Sequence, residues 1–153
     1  MTVKPTLCIA ILTLNEARRI EQCIDSARFA DQIVVVDSGS SDGTVALASA
    51  MGAEVHTYAD WQGFGEQRNR LLQHCRADYV FFLDADEVTP PELEKEITDI
   101  VRSGANGVWE VLWNQVAYGK PLTRMKSTGG IPRQFRADNL IGYEGLVHEA
   151  AVL

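Results

Sequence analysis

The chain has 153 residues, 46% of them hydrophobic and 23% charged, with a formal net charge of −7 at neutral pH. That length suits one domain burying about two-thirds of its unfolded surface. The acidic balance is a poor match to nucleic acid or to a basic membrane-docking face, both of which need clustered Lys and Arg. Cys8, Cys23 and Cys75 are odd in number and far apart, without a C-x-x-C pair. Neither a zinc ribbon nor a disulfide framework is expected, and a reducing compartment is the natural reading. The longest apolar runs, residues 33–36 and 79–83, are too short to span a bilayer. The cytoplasm is the default location.

In chain order, strands alternate with short helices. Residues 7–14 form a mostly apolar run, read as a strand buried on both faces. Asn15 is expected to cap a helix that places Ala17, Ile20, Ile24 and Ala27 on one face. Residues 32–37 are the second strand, 38–43 a turn-rich loop, 44–51 a short helix and 53–58 a weaker third strand. A helix over 65–75 buries Leu71, Leu72 and Cys75, and a strongly apolar strand follows over 78–83. Thr89 as N-cap, Pro90 at the first helical position and Glu92 in a capping box predict another helix. Its core face is Leu93, Ile97, Ile100 and Val101, and Gly104 ends it. Such alternation predicts βαβ units and a mainly parallel sheet. From about residue 106 the pattern changes to strands over 108–118 and 140–153, with a polar loop over 119–132 between them. We read residues 1–105 as one half of a single domain and 106–153 as the start of a second half. The apolar end at 150–153 reads as an interruption.

Ligands of an open α/β sheet bind outside the carboxyl ends of its strands. Three polar or acidic clusters fall there: Thr13-Leu14-Asn15-Glu16, Asp37-Ser38-Gly39-Ser40-Ser41-Asp42-Gly43, and Asp84-Ala85-Asp86-Glu87. Asp84 and Asp86, alternating about one small residue, can face one hard divalent cation that shares oxygen ligands with phosphate. The plainer alternative is that Asp86 and Glu87 favour the start of the next helix. Asp37 can accept a bond from a base or a ribose hydroxyl, or can hold its own turn. The loop after it is neither a P-loop nor a G-x-G-x-x-G loop. Arg68 can pair with an anion or lie on a solvated helix face. His148 can be a metal ligand, and Glu149, with Glu144 in reserve, a general base. His56 and His74 show no partners in sequence and are read as structural.

In this order and spacing, the three clusters resemble the signature of family-2 glycosyltransferases of the GT-A (Rossmann-like) fold, over about residues 7–105. Val147-His148-Glu149 and Gln67-Arg68-Asn69 are similar to the lipopolysaccharide-core β-1,4-glucosyltransferase subgroup. The resemblance implies inverting transfer of a hexose from a nucleotide-diphosphate sugar, usually a UDP-sugar, to a glycan or glycolipid acceptor. It implies that Thr13, Asn15 and Glu16 line the nucleoside pocket, with Ser38, Arg68 and Ala85 nearby, and that Asp37 binds the base. Asp84 and Asp86, joined by His148, would hold Mg²⁺ or Mn²⁺. The segment over 143–149 would then fold back toward the carboxyl edge of the sheet. Attachment to the cytoplasmic face of the inner membrane fits such an acceptor. The chain departs from the pattern in its short acceptor portion and in lacking an aromatic-proline stretch near residues 129–136. A sheet edge exposed by that shortness would favour self-association. Two other readings stay open: a non-catalytic nucleotide-sugar-binding fragment, and a nucleotidyltransferase, the latter disfavoured because the loop at 15–19 has no glycine.

Overall fold

The computed structural model describes residues 5–104, together with the backbone of strands within 108–152. Four parallel strands form its centre: β1 (Leu7–Thr13), β2 (Gln32–Asp37), β3 (Glu54–Thr57) and β4 (Tyr79–Phe82). Between them run α1 (Ile20–Ser26), α2 (Thr44–Ala50) and α3 (Phe64–His74), and α4 (Pro91–Ser103) follows β4. The later strands are β5 (Val108–Trp113), β6 (Leu122–Lys126), β7 (Pro132–Arg136), β8 (Gly142–Glu144) and β9 (Ala150–Val152). The main sheet has the order β3-β2-β1-β4-β7-β5-β6, with β7, β5 and β6 joined antiparallel, while β8 and β9 pair with each other.

Strand periodicity divides the core into two layers. Leu7, Ile9, Ile11, Val35, Tyr79, Phe81 and Leu83 face α1, α2 and α4, which contribute Ile20, Ile24, Ala48, Leu93, Ile97 and Val101. Cys8, Ala10, Val34, Val36, Val80 and Phe82 face the other way, toward Leu71 of α3. Both faces of β1 are therefore covered, which is why its sequence is almost continuously apolar. Each fully buried Leu, Ile or Phe contributes roughly 1.5–3 kcal/mol of transfer free energy. α4 ends as its sequence predicts, at Gly104 in the left-handed conformation (φ 70°) with its amide bonded to the Val101 carbonyl.

Three local expectations are corrected. Asn15 does not cap α1: it takes a left-handed conformation (φ 54°), and its side-chain carbonyl accepts from the Ser41 amide. Ala17 lies in the turn, and the helix begins at Ile20. Asn tolerates this backbone and competes well for nearby amides, so an N-cap residue type can serve a turn instead. Thr89 also fails as a cap. Pro90 occupies that position, and the buried Thr89 hydroxyl has no hydrogen-bond partner among the described residues. Finally, the polar segment over 119–132 contains strand β6, and β7 follows directly. These strands pair antiparallel with neighbours, so their short polar sequences need no continuous apolar run.

Candidate functional site

The chain runs β1 to β2 to β3 outward on one side, then returns to place β4 on the other side of β1. The point where strand order reverses leaves a crevice between β1 and β4 at their carboxyl ends. A cleft of about 630 Å³ opens there, lined by Leu12, Thr13, Leu14, Glu16, Ser38, Trp61, Phe64, Arg68, Asp84, Ala85 and Asp86. Seven residues singled out from the sequence thus share one cavity: Thr13, Glu16, Ser38, Arg68, Asp84, Ala85 and Asp86.

The acidic rim is built by the turn that leaves β4. Ala85 is buried in the core while the Asp84 and Asp86 side chains stay about half exposed on either side of it. Glu87 fixes the turn: its buried carboxylate accepts from the Asp84 amide at 2.8 Å, and its own amide donates to the Asp84 carbonyl at 2.9 Å. Arg68 stands 3.8 Å from Asp84, and Arg19 stands 3.7 Å from Asp86. Glu16 completes the rim. Its carboxyl is pushed above the ordinary range by burial, then by the charges of Asp86, Asp42 and Asp84, with Arg19 opposing. Carboxylates converging on one rim fit a hard divalent cation with oxygen ligands.

Asp37 holds its own turn, one of the two parts its position allows. The residue is fully buried, outside the cleft lining. Its carboxylate accepts from the Thr13 hydroxyl (2.7 Å), the Gly39 amide (2.9 Å), and the Ser40 amide (2.7 Å) and hydroxyl (2.5 Å). Burial alone would raise its pKa, but these bonds outweigh burial and hold it below the ordinary carboxylate value. The turn-forming alternative is what the described geometry displays: Asp37 ties the end of β1 to the loop after β2. Asn15 likewise braces that loop from outside the cleft, through Ser40 and Ser41. Asp42 extends the brace by bonding the Thr44 amide and hydroxyl and the Ala17 amide.

Sequence reasoning missed the aromatic wall. Trp61 and Phe64 meet edge to face at 4.8 Å and remain 49% and 41% exposed. Gly63 (φ 99°) turns the chain into α3 between them. The available signal was two large aromatics within four residues of a polar, Gly-containing segment. Sequence reasoning quoted Gln67 within the Gln67-Arg68-Asn69 motif but gave it no role of its own. That side chain is fully buried, donates to the Ser38 hydroxyl (2.9 Å) and the Tyr58 carbonyl (3.2 Å), and accepts from Arg70 (2.6 Å). His148 and Glu149 lie outside the described residues. Glu144 ends strand β8, which lies against α3.

A parallel sheet flanked by helices, with a ligand-sized cleft at its switch point, is a Rossmann-like architecture, and its likeness to solved glycosyltransferase structures makes the class GT-A. The chain belongs to glycosyl transferase family 2, whose family model matches residues 8–146. It is 42% identical over 94 residues to an uncharacterised glycosyltransferase of Rickettsia bellii (strain RML369-C), a match covering 61% of this chain and 32% of the relative. It is 33% identical over 116 residues to the lipopolysaccharide core biosynthesis glycosyltransferase LpsC of Rhizobium meliloti (strain 1021), covering 72% of this chain and 43% of LpsC. Among solved structures it resembles glucosyl-3-phosphoglycerate synthase from Mycobacterium tuberculosis in complex with Mn²⁺, UDP and glucosyl-3-phosphoglycerate. That likeness has 29% identity and a TM-score of 0.58, and covers 69% of this chain and 42% of the synthase chain. The chain thus spans about a third to two-fifths of the length of these curated relatives.

Proposed function

We propose that the cleft binds a nucleoside-diphosphate hexose, with UDP as the nucleotide, and that the protein transfers the hexose with inversion to a glycan or glycolipid acceptor of the lipopolysaccharide-core kind. The observation that carries this reading is the convergence of Glu16, Asp84, Asp86 and Arg68 on one cleft at the sheet's switch point. The UDP and Mn²⁺ in the structure of the similar synthase, and the core-biosynthesis role in the name of LpsC, favour the same donor and acceptor classes.

In this reading Asp84 and Asp86 hold Mg²⁺ or Mn²⁺, with His148 as a further ligand. When bound, the cation neutralises charge that develops on the departing nucleoside diphosphate. Arg68 faces the diphosphate from α3, and its planar fork suits bidentate phosphate contacts. Thr13, Glu16 and Ser38 form the nucleoside side of the cleft, Asn15 reaches the nucleoside from the loop beside it, and Asp37 contacts the base where it exchanges one of its loop bonds. Trp61 and Phe64 supply apolar faces on which a sugar or base ring can lie. Glu149 takes the proton of the acceptor hydroxyl as the sugar bond forms, with Glu144 as the alternative base. Residues 1–105 are the donor half of the domain and 106–153 begin the acceptor half. No helix among the described residues is long and apolar enough to cross a membrane. We place the protein in the cytoplasm, at the membrane face where such an acceptor is built.

A panel of nucleotide sugars tests the donor assignment. In the presence of Mn²⁺, UDP-hexoses should protect the fold against thermal unfolding more strongly than GDP- or CMP-sugars do. Equal protection by all of them, or by none, contradicts it.

A further inference from the structure

A second cluster of ligand-type side chains lies at the opposite end of α3 from the cleft. Phe64 begins that helix beside the cleft and His74 ends it ten residues later, about 15 Å away at the helical rise. There His74 meets Glu54 and His56 of β3. The two β3 residues are separated by one position and so share a face of the strand. One ligand atom from each of the three lies within 4.8 Å of the other two, and all three residues are only half-buried. The Glu54 carboxylate approaches His56 Nε2 at 2.7 Å. The His56 and His74 rings stack with centroids 3.5 Å apart and planes within 7°.

We infer that Glu54, His56 and His74 form a binding site for a borderline divalent transition metal of the zinc class. Two imidazoles and one carboxylate are a zinc donor set, with one coordination position left for water. Two imidazoles beside a single carboxylate also set this site apart from the carboxylate-rich rim of the cleft, which suits Mg²⁺ or Mn²⁺. Ligands on a tetrahedral ion with bonds near 2.0–2.1 Å stand about 3.3 Å apart. The cluster must therefore draw together slightly, and the two rings must turn out of their stack so that their nitrogens converge. Outer contacts that orient ligands are in place. The Tyr58 hydroxyl lies 2.8 Å from His74 Nε2, and Gln32 donates to the His74 carbonyl at 2.8 Å. Arg76 holds the other Glu54 oxygen at 2.7 Å. That cation opposes an incoming metal, but it is 68% exposed and screened by water. A bound ion would pin the last turn of α3 to the edge strand, remote from any transfer chemistry.

Two thiols nearby need to be told apart from this site, because Cys8 and Cys75 sulfurs lie 3.1 Å from each other. Chelator-treated protein is titrated calorimetrically with Zn²⁺ alone, alongside Asp84→Asn/Asp86→Asn, Cys75→Ser, His56→Ala and His74→Ala variants whose folding is checked by circular dichroism. One equivalent should bind to the parent, to the double Asp variant and to Cys75→Ser. Affinity should fall at least about tenfold in each His variant. Co²⁺ added to the unaltered protein gives a readout free of any folding defect. It should develop visible ligand-field absorption that Zn²⁺ abolishes, without a sulfur-to-cobalt charge-transfer band. The inference is overturned if the parent binds no zinc, if both His variants bind as the parent does, if binding is lost with the Asp pair or Cys75, or if the charge-transfer band appears.

Discussion

Glu16, Asp84 and Asp86 concentrate negative charge on one cleft wall, only partly offset by Arg19 and Arg68. The stability consequence has a definite sign. A carboxyl whose folded pKa is raised contributes stability below its unfolded pKa and loses it as pH rises through the folded value. At neutral pH, ionised Glu16 is therefore a liability to the ligand-free fold. Glu16→Gln should raise the melting temperature at pH 7 by about 1–3 °C, with the gain vanishing near pH 4, while weakening nucleotide binding in Mn²⁺. A melting temperature that falls at pH 7 would contradict the repulsion. Asp86 separates binding from folding more sharply, because its side chain is half exposed and the N-cap position of α4 belongs to Pro90. Asp86→Asn should leave stability within about 0.5 kcal/mol yet remove the metal dependence of UDP binding. Chemical denaturation and calorimetry on the same samples check both halves. Equal metal-dependent affinity in variant and parent would remove Asp86 from the site.

At the scale of elements, the cleft depends on how the ends of β1 and β2 are tied. The Asp37 carboxylate gathers four hydrogen bonds in a fully buried position. Asp37→Asn replaces one acceptor oxygen by a donor and turns at least one of those bonds repulsive. It should cost about 2–3 kcal/mol in denaturant titrations at pH 7. Since the Asp37 pKa is lowered by folding, its ionic contribution is present above the unfolded value, about 3.9, and is lost as pH falls through the folded one. The gap between parent and variant should therefore shrink below about pH 4; a gap independent of pH would show that the charge of Asp37 is not what holds the loop. This brace was only half legible in sequence. Asp after an aliphatic run, before Ser-Gly-Ser, announces both a strand end and a turn. Which way the carboxylate points depends on Thr13, twenty-four residues earlier. Gln67 hid for a similar reason: a polar residue on a helix is normally read as solvated, and only the approach of Ser38 and Tyr58 gives it buried partners. The βα frame itself was readable because apolar periodicity is a local signal. β6 and β7, short and partly polar, take their stability from neighbours distant in sequence, so no local pattern announces them.

For the whole molecule, the strand order gathers segments separated by some seventy residues into one cavity: Thr13 from the end of β1 and Glu16 just after it, Arg68 from α3, and Asp84 and Asp86 from the turn that leaves β4. The proposed donor site is a property of this gathering, so it should respond as a unit. Titration of the chain with UDP, with and without Mn²⁺, in parent and in an Asp84→Asn/Asp86→Asn variant, tests that most directly. With Mn²⁺ present, UDP at a hundred times its dissociation constant should stabilise the parent by about 2.7 kcal/mol. UDP alone should stabilise it less, and the double variant should gain no more from the pair than from UDP alone. An unchanged parent melting temperature at saturating UDP and Mn²⁺, or an undiminished response in the double variant, would contradict a metal-assisted nucleotide site on this edge of the sheet.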